Sequence, residues 1–169
     1  AELRESLAAW RATGAELGRP GWLVLLAEVC GKGGRVEEGL SVLAEALDFV
    51  RKTRECRWEA ELYRLKGKLV LQSGVRGPAS ANPNTQHPTP STQAEAEAEA
   101  CFHKAIEIAR RQSAKSLELR AVTSLSRLWQ SQGKKEEARQ VLTEIYGWFT
   151  EGFDTVDLKE AKVLLDELS

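Results

Sequence analysis

Two runs of side chains in this sequence have the types and spacing to hold an anion. Arg64, Lys68 and Gln72 step by four, and Arg120, Thr123, Arg127 and Gln130 step by three or four. On an α-helix that spacing lines the residues up as one stripe. A stripe of guanidinium, ammonium and amide groups can grip a carboxylate through charge-assisted hydrogen bonds. The competing reading is an ordinary solvated face, because charged stripes are common on surface helices.

Other constellations that could do chemistry fail on spacing. Gly31-Lys32-Gly33-Gly34 resembles a phosphate loop in composition. That loop, however, ends in Gly-Lys-Ser/Thr so that a hydroxyl can hold magnesium, and Lys32, Lys68 and Lys134 precede Gly33, Leu69 and Lys135. No nucleotide cofactor is expected. The acid pairs Glu37/Glu38 and Glu136/Glu137 suit the positive end of a helix dipole. Being adjacent they diverge, so they do not form a general acid and base on one substrate. His87 and His103 have no partner at ligand spacing, so no metal site is expected. Cys30, Cys56 and Cys101 are odd in number, far apart and without a C-x-x-C, which suggests reduced thiols in a cytoplasmic protein. Cys30 is expected in the core and Cys56 in a connection. Trp10, Trp22 and Trp129 fall on apolar stripes and are read as core, whereas Trp58 and Trp148 fall at helix ends. No catalytic constellation emerges, and the chain is not expected to be an enzyme.

The elements that must position the two stripes are helices. The chain has 169 residues, 42% hydrophobic and 29% charged, with a formal net charge of −1. That balance gives no field to draw in nucleic acid or an anionic membrane. No membrane-spanning run and no signal peptide is apparent. Methionine is absent, which is read as the mark of a piece of a longer protein. Apolar periodicity predicts eight helices, at about 2–14, 19–32, 35–52, 57–73, 94–112, 115–131, 134–149 and 155–168, and no strand. Pro20 suits a first turn, and Asp154 or Thr155 suits the N-cap of the last helix.

The helices recur. From Gly34 to Gly74 is 40 residues and from Gly74 to Gly133 is 59, which is 40 plus 19. The surplus is residues 75–93, which hold four of the five prolines, one charge and no aromatic ring beyond His87. Such a composition cannot bury enough apolar surface to offset its ordering entropy, so 75–93 is expected to be a disordered insert that proteases cut first. With it removed, Gly39, Leu43, Ala46 and Leu47 align with Ala98, Phe102, Ala105 and Ile106, and with Ala138, Leu142, Ile145 and Tyr146. The small residue leading each set is where a neighbouring helix can come close. Arg11, Arg51 and Arg110 also recur, each 23 residues before a turn glycine, near helix ends where cations suit the dipole. A repeat of this length built from paired helices marks an all-α solenoid, here one domain over residues 1–169.

Within each unit the pattern resembles the tetratricopeptide repeat. Repeat one shows Leu23, Leu26, Ala27, Cys30, Gly34, Gly39, Leu43 and Ala46; repeat two shows Tyr63, Gly67, Val70 and Gly74, then Ala98, Phe102 and Ala105. Repeat three shows Val122, Leu125, Ser126, Trp129, Gly133, Ala138, Leu142 and Ile145. The sequence departs from that repeat in its period of 40 against about 34, in Lys66 at a usually apolar position, and in lacking a closing proline. A closer resemblance rests on Gly14 to Pro20, Ala114 to Arg120 and Tyr146 to Thr155. These runs are similar to the C-terminal tetratricopeptide region of bacterial predicted signal-transduction ATPases, which are often fused to nucleotide cyclase or kinase domains.

The resemblance implies a right-handed superhelix whose concave groove is lined by the first helix of each pair. In this sequence those positions are Glu28 and Lys32, then Arg64, Lys68 and Gln72, then Arg120, Thr123, Arg127 and Gln130. The two basic stripes would then lie side by side and bind an acidic peptide from a partner or from the parent protein. Reversing Arg64, Lys68, Arg120 and Arg127 to Glu is expected to abolish binding and leave helicity intact. The alternative is a structural arm that self-associates into a dimer through apolar surface left open at its N-terminal end.

Overall fold

The structure is a computed structural model and describes residues 18–75 and 92–169. Among these there are seven α-helices, one short 3-10 turn and no strand. The helices are α1 (Arg19–Lys32), α2 (Val36–Thr53), α3 (Glu59–Val75), α4 (Thr92–Arg111), α5 (Lys115–Ser131), α6 (Lys135–Tyr146) and α7 (Val156–Glu167), with the 3-10 turn at Cys56–Trp58 before α3. The fold is all-helical. None of the described helices is long and apolar enough to cross a membrane. The expected helix at 2–14, with Trp10 and Arg11, lies outside the described residues.

Each helix packs on the next, and the odd-numbered helices also touch in succession: α1 on α3, α3 on α5, α5 on α7. The core follows the recurring positions. Gly39, Leu43, Ala46 and Leu47 are buried, as are Ala98, Phe102, Ala105 and Ile106, and Ala138, Leu142 and Ile145, with Tyr146 partly so. The small leading residue admits a neighbour, as its spacing implies. A Cβ on Gly39 would lie 2.7 Å from Leu69 Cδ1; the mid-helix Gly67 of α3 is as tight, a Cβ there lying 2.6 Å from the Phe102 ring. Glu37/Glu38 and Glu136/Glu137 occupy the first turns of α2 and α6, and Arg51 and Arg110 the last turns of α2 and α4. These charges complement the helix dipoles. Lys66 reconciles its apolar position by reaching Glu97 at 3.5 Å.

Several expectations are corrected. Gly34 and Gly133 take left-handed conformations (φ +70° and +80°) at tight reversals, where glycine carries no Cβ penalty. Gly74 instead lies inside α3, which runs on to Val75. At the ends of the expected insert, Val75 closes α3 and Thr92 and Gln93 open α4; residues 76–91 lie outside the described residues. Helix α6 stops at Tyr146, with Gly147 as its C-cap. Trp148 is therefore 58% exposed, edge-on to Phe149 with ring centres 5.2 Å apart. Tyr146 meets Phe153, with ring centres 5.8 Å apart. Thr155 is the N-cap residue of α7, but its hydroxyl donates to the Gly152 carbonyl and caps nothing. Trp22 is 45% exposed. Leu23, Leu26, Ala27 and Cys30 face inward, and the residue before Leu23 is turned about 100° away on a helix.

Candidate functional site

The odd-numbered helices enclose a half-open cavity of about 570 Å³. Helix α1 contributes Glu28 and Lys32; α3 contributes Arg64, Lys68, Leu71 and Gln72. From α5 come Arg120, Thr123, Ser124, Arg127, Leu128 and Ser131, and from α7 Val156, Asp157 and Glu160, with Phe102 of α4 at the bottom. All the residues singled out from the two stripes line this cavity except Gln130. That amide instead donates to Glu167 on α7, at 3.3 Å. Position 130 sits off the cavity because α7 packs against that edge of α5.

Spacing put the stripes on faces, but it did not show what those groups are already bonded to. Arg64 is 6% exposed. Its guanidinium donates two hydrogen bonds to Glu61, from Nε at 2.8 Å and from Nη2 at 2.6 Å. A third donor reaches Ser124 Oγ at 3.4 Å. Glu61 is 2% exposed and also receives Arg120, at 3.0 Å. Burial alone would lower the Arg64 pKa. The paired hydrogen bonds and charge of Glu61 prevail and hold the guanidinium firmly protonated. One buried carboxylate thus ties α3 to α5 through two arginines. Glu61 lies three residues before Arg64, a spacing visible in the sequence. Its burial came only from the neighbouring helix.

Thr123 is also buried, and its hydroxyl donates to the Leu119 carbonyl at 2.8 Å. It is a wall of the cavity and not an available donor. The remaining cations have partners on other helices or on their own turn. Lys32 pairs with Glu28 at 3.0 Å, which holds the Glu28 carboxyl below its usual range. Arg120 also approaches Asp157 at 3.6 Å, and Arg127 approaches Glu160 at 3.8 Å. The acids of α7 were missed because nothing local to residues 156–167 says which helix they face.

Lys68 differs from these. Among the described residues it has no carboxylate at ion-pair distance. Burial, and then the nearby Arg64 charge, push its ammonium below the usual lysine range, against the pull of Glu28, Glu160 and Glu61. Lys68 is nevertheless exposed and lines the cavity. Gln72, one turn on, is exposed and makes no hydrogen bond among the described residues.

Elsewhere the side chains do structural work. Cys30 is buried, with its thiol against Glu38 at 3.4 Å. Cys56 is exposed, and Cys101 is buried. Trp129 donates from its indole nitrogen to Glu99 at 2.9 Å, and His103 stacks at a tilt on the same ring. No group of three or more His, Cys, Asp or Glu gathers for a metal among the described residues. The chain matches no protein-family model, and no curated protein is significantly similar to it.

Proposed function

We propose that the chain is a protein-interaction module, a tetratricopeptide-like solenoid whose inner face binds an acidic segment of a partner or of its own parent protein. One observation carries this reading. The stripe cations Arg64, Lys68, Arg120 and Arg127 converge, from α3 and α5 with all of α4 between them in sequence, on one groove with an apolar floor. Grooves of this kind recognise peptides by charge-assisted hydrogen bonds at a few points and apolar contact between them. The resemblance to regulatory regions of bacterial signal-transduction ATPases supports a cytoplasmic sensing arm that has no activity of its own.

The test is selection of peptides displayed on phage against the immobilised chain. Enrichment of sequences containing Asp or Glu is expected, with capture lost in a Lys68→Glu/Arg127→Glu double variant whose far-ultraviolet circular dichroism is unchanged. Selected peptides without acidic residues, or equal capture by the variant, would remove the reading. The fourfold reversal that includes Arg64 and Arg120 is unsuitable. Two new carboxylates against the buried Glu61 would disrupt the fold and not only the groove.

Self-association is the second reading, favoured by a different observation. Trp22, Leu25 and Val29 of α1 are all exposed and fall at i, i+3 and i+7, one apolar stripe. Light scattering over a dilution series decides it: a mass that stays at one chain throughout argues against this role.

A further inference from the structure

The five cations lining the cavity are not equivalent, and the difference defines what the cavity accepts. Arg64 and Arg120 are tied to Glu61, Lys32 to Glu28 and Arg127 to Glu160. Lys68 alone has no such partner among the described residues, and Gln72 beside it has an uncommitted amide. The two lie four residues apart on the same face of α3 and both line the cavity, so an ammonium and an amide adjoin in its wall. Around them the cavity presents Leu71, Phe102, Leu128 and Val156. Its rim carries Glu28, Asp157 and Glu160, contributed by α1 and α7. Counting Glu61 beneath the arginines, four carboxylates face five cations, which leaves one formal positive charge.

Resting on the reading of this cavity as a peptide groove, we infer that it takes a segment carrying a single carboxylate flanked by apolar side chains, bound through Lys68 and Gln72. Glu28, Asp157 and Glu160 then act against runs of acidic residues. A single carboxylate neutralises the site and gives Lys68 the partner it lacks among the described residues. A second one must approach the rim acids, where like charge disfavours it. An apolar neighbour of the carboxylate covers the floor formed by Phe102 and Leu128, removing that surface from water.

Three capped peptides serve as probes in ¹H–¹⁵N titrations of the whole chain up to millimolar concentration: acetyl-Gly-Leu-Glu-Leu-Gly-amide, its Gln counterpart and acetyl-tetraglutamate-amide. Saturable shifts on α3 and α5 are expected with the first peptide. Binding roughly tenfold weaker is expected for the Gln peptide, and for the Glu peptide with a Lys68→Gln chain, since each change removes one charge-assisted hydrogen bond. An Asp157→Asn/Glu160→Gln chain should gain affinity for tetraglutamate, which keeps the idea testable if Lys68→Gln fails to fold. Equal binding of the Gln peptide overturns the inference, because the carboxylate is then not read. If tetraglutamate binds these helices and the single-acid peptide does not, the inference fails while the groove reading stands. Absence of saturable shifts with all three peptides defeats both.

Discussion

The two ends of the cavity use the same chemistry for opposite purposes. At one end Arg64 and Arg120 close on Glu61, and the trio's charges are matched within the chain. At the other, Lys68 and Gln72 keep their donors unmatched among the described residues. An arginine is usually the better grip on a carboxylate because its planar fork makes two hydrogen bonds at once. Here that fork is committed to a carboxylate of the same chain. The compact lysine holds capacity for something else. A basic stripe in a helical protein is therefore not one site: burial and cross-helix pairing divide it into parts that brace the fold and parts that can bind.

The largest effect that would sharpen this contrast comes from the braced end. Glu61→Ala leaves two guanidinium groups, one of them buried, without their carboxylate. Removing one partner of a buried pair costs about 3–5 kcal/mol. Urea denaturation should show that loss at unchanged m, and a loss below about 1 kcal/mol would mean that Glu61 is no brace. A smaller loss is expected from Gly67→Ala, which drives a methyl against the buried, rigid Phe102 ring of the cavity floor. Overpacking of this kind costs about 1–3 kcal/mol, offset in part by about 1 kcal/mol of helix propensity. Gly39→Ala meets the flexible end of Leu69 first and should be close to neutral; equal losses at both positions would argue that the floor is no stiffer than the rest.

The smallest stability effect belongs to the open end and has a defined sign. The Lys68 pKa is lowered in the folded chain, so folding disfavours its charge. That cost is present at neutral pH, and it is relieved as the pH rises through the lowered folded value toward the ordinary lysine value. Lys68→Met should therefore melt at the same temperature as the parent or slightly above it near neutrality, with the difference shrinking in alkali, while peptide capture is lost. A clear drop in melting temperature would break the comparison, since Lys68 would then be a brace as well.

Much of the architecture was legible because it rests on local pattern. Ala98 and Phe102, or Ala138 and Leu142, declare a buried face by spacing alone, since an α-helix turns by about 100° per residue. The stripes were legible for the same reason, and the cavity gathers Arg64, Lys68, Gln72, Arg120, Thr123 and Arg127. Gln130 and Trp22 were misread because each lies at the margin of a face, where the angle of the neighbouring helix decides which side is covered. The turn expected at Gly74 failed because glycine permits a reversal without compelling one.

For the described residues the sequence by itself determined that the chain is helical, roughly where the helices lie, and most of the apolar face of each. These follow from torsional preference and periodicity within a few turns. Tertiary structure alone decided that Glu61 is buried beneath two arginines, that Asp157 and Glu160 return from the last helix to the cavity rim, and that Lys68 has no carboxylate partner among the described residues. The charge environment of a side chain depends on what folding brings within a few ångströms of it, and such neighbours come from positions far along the chain.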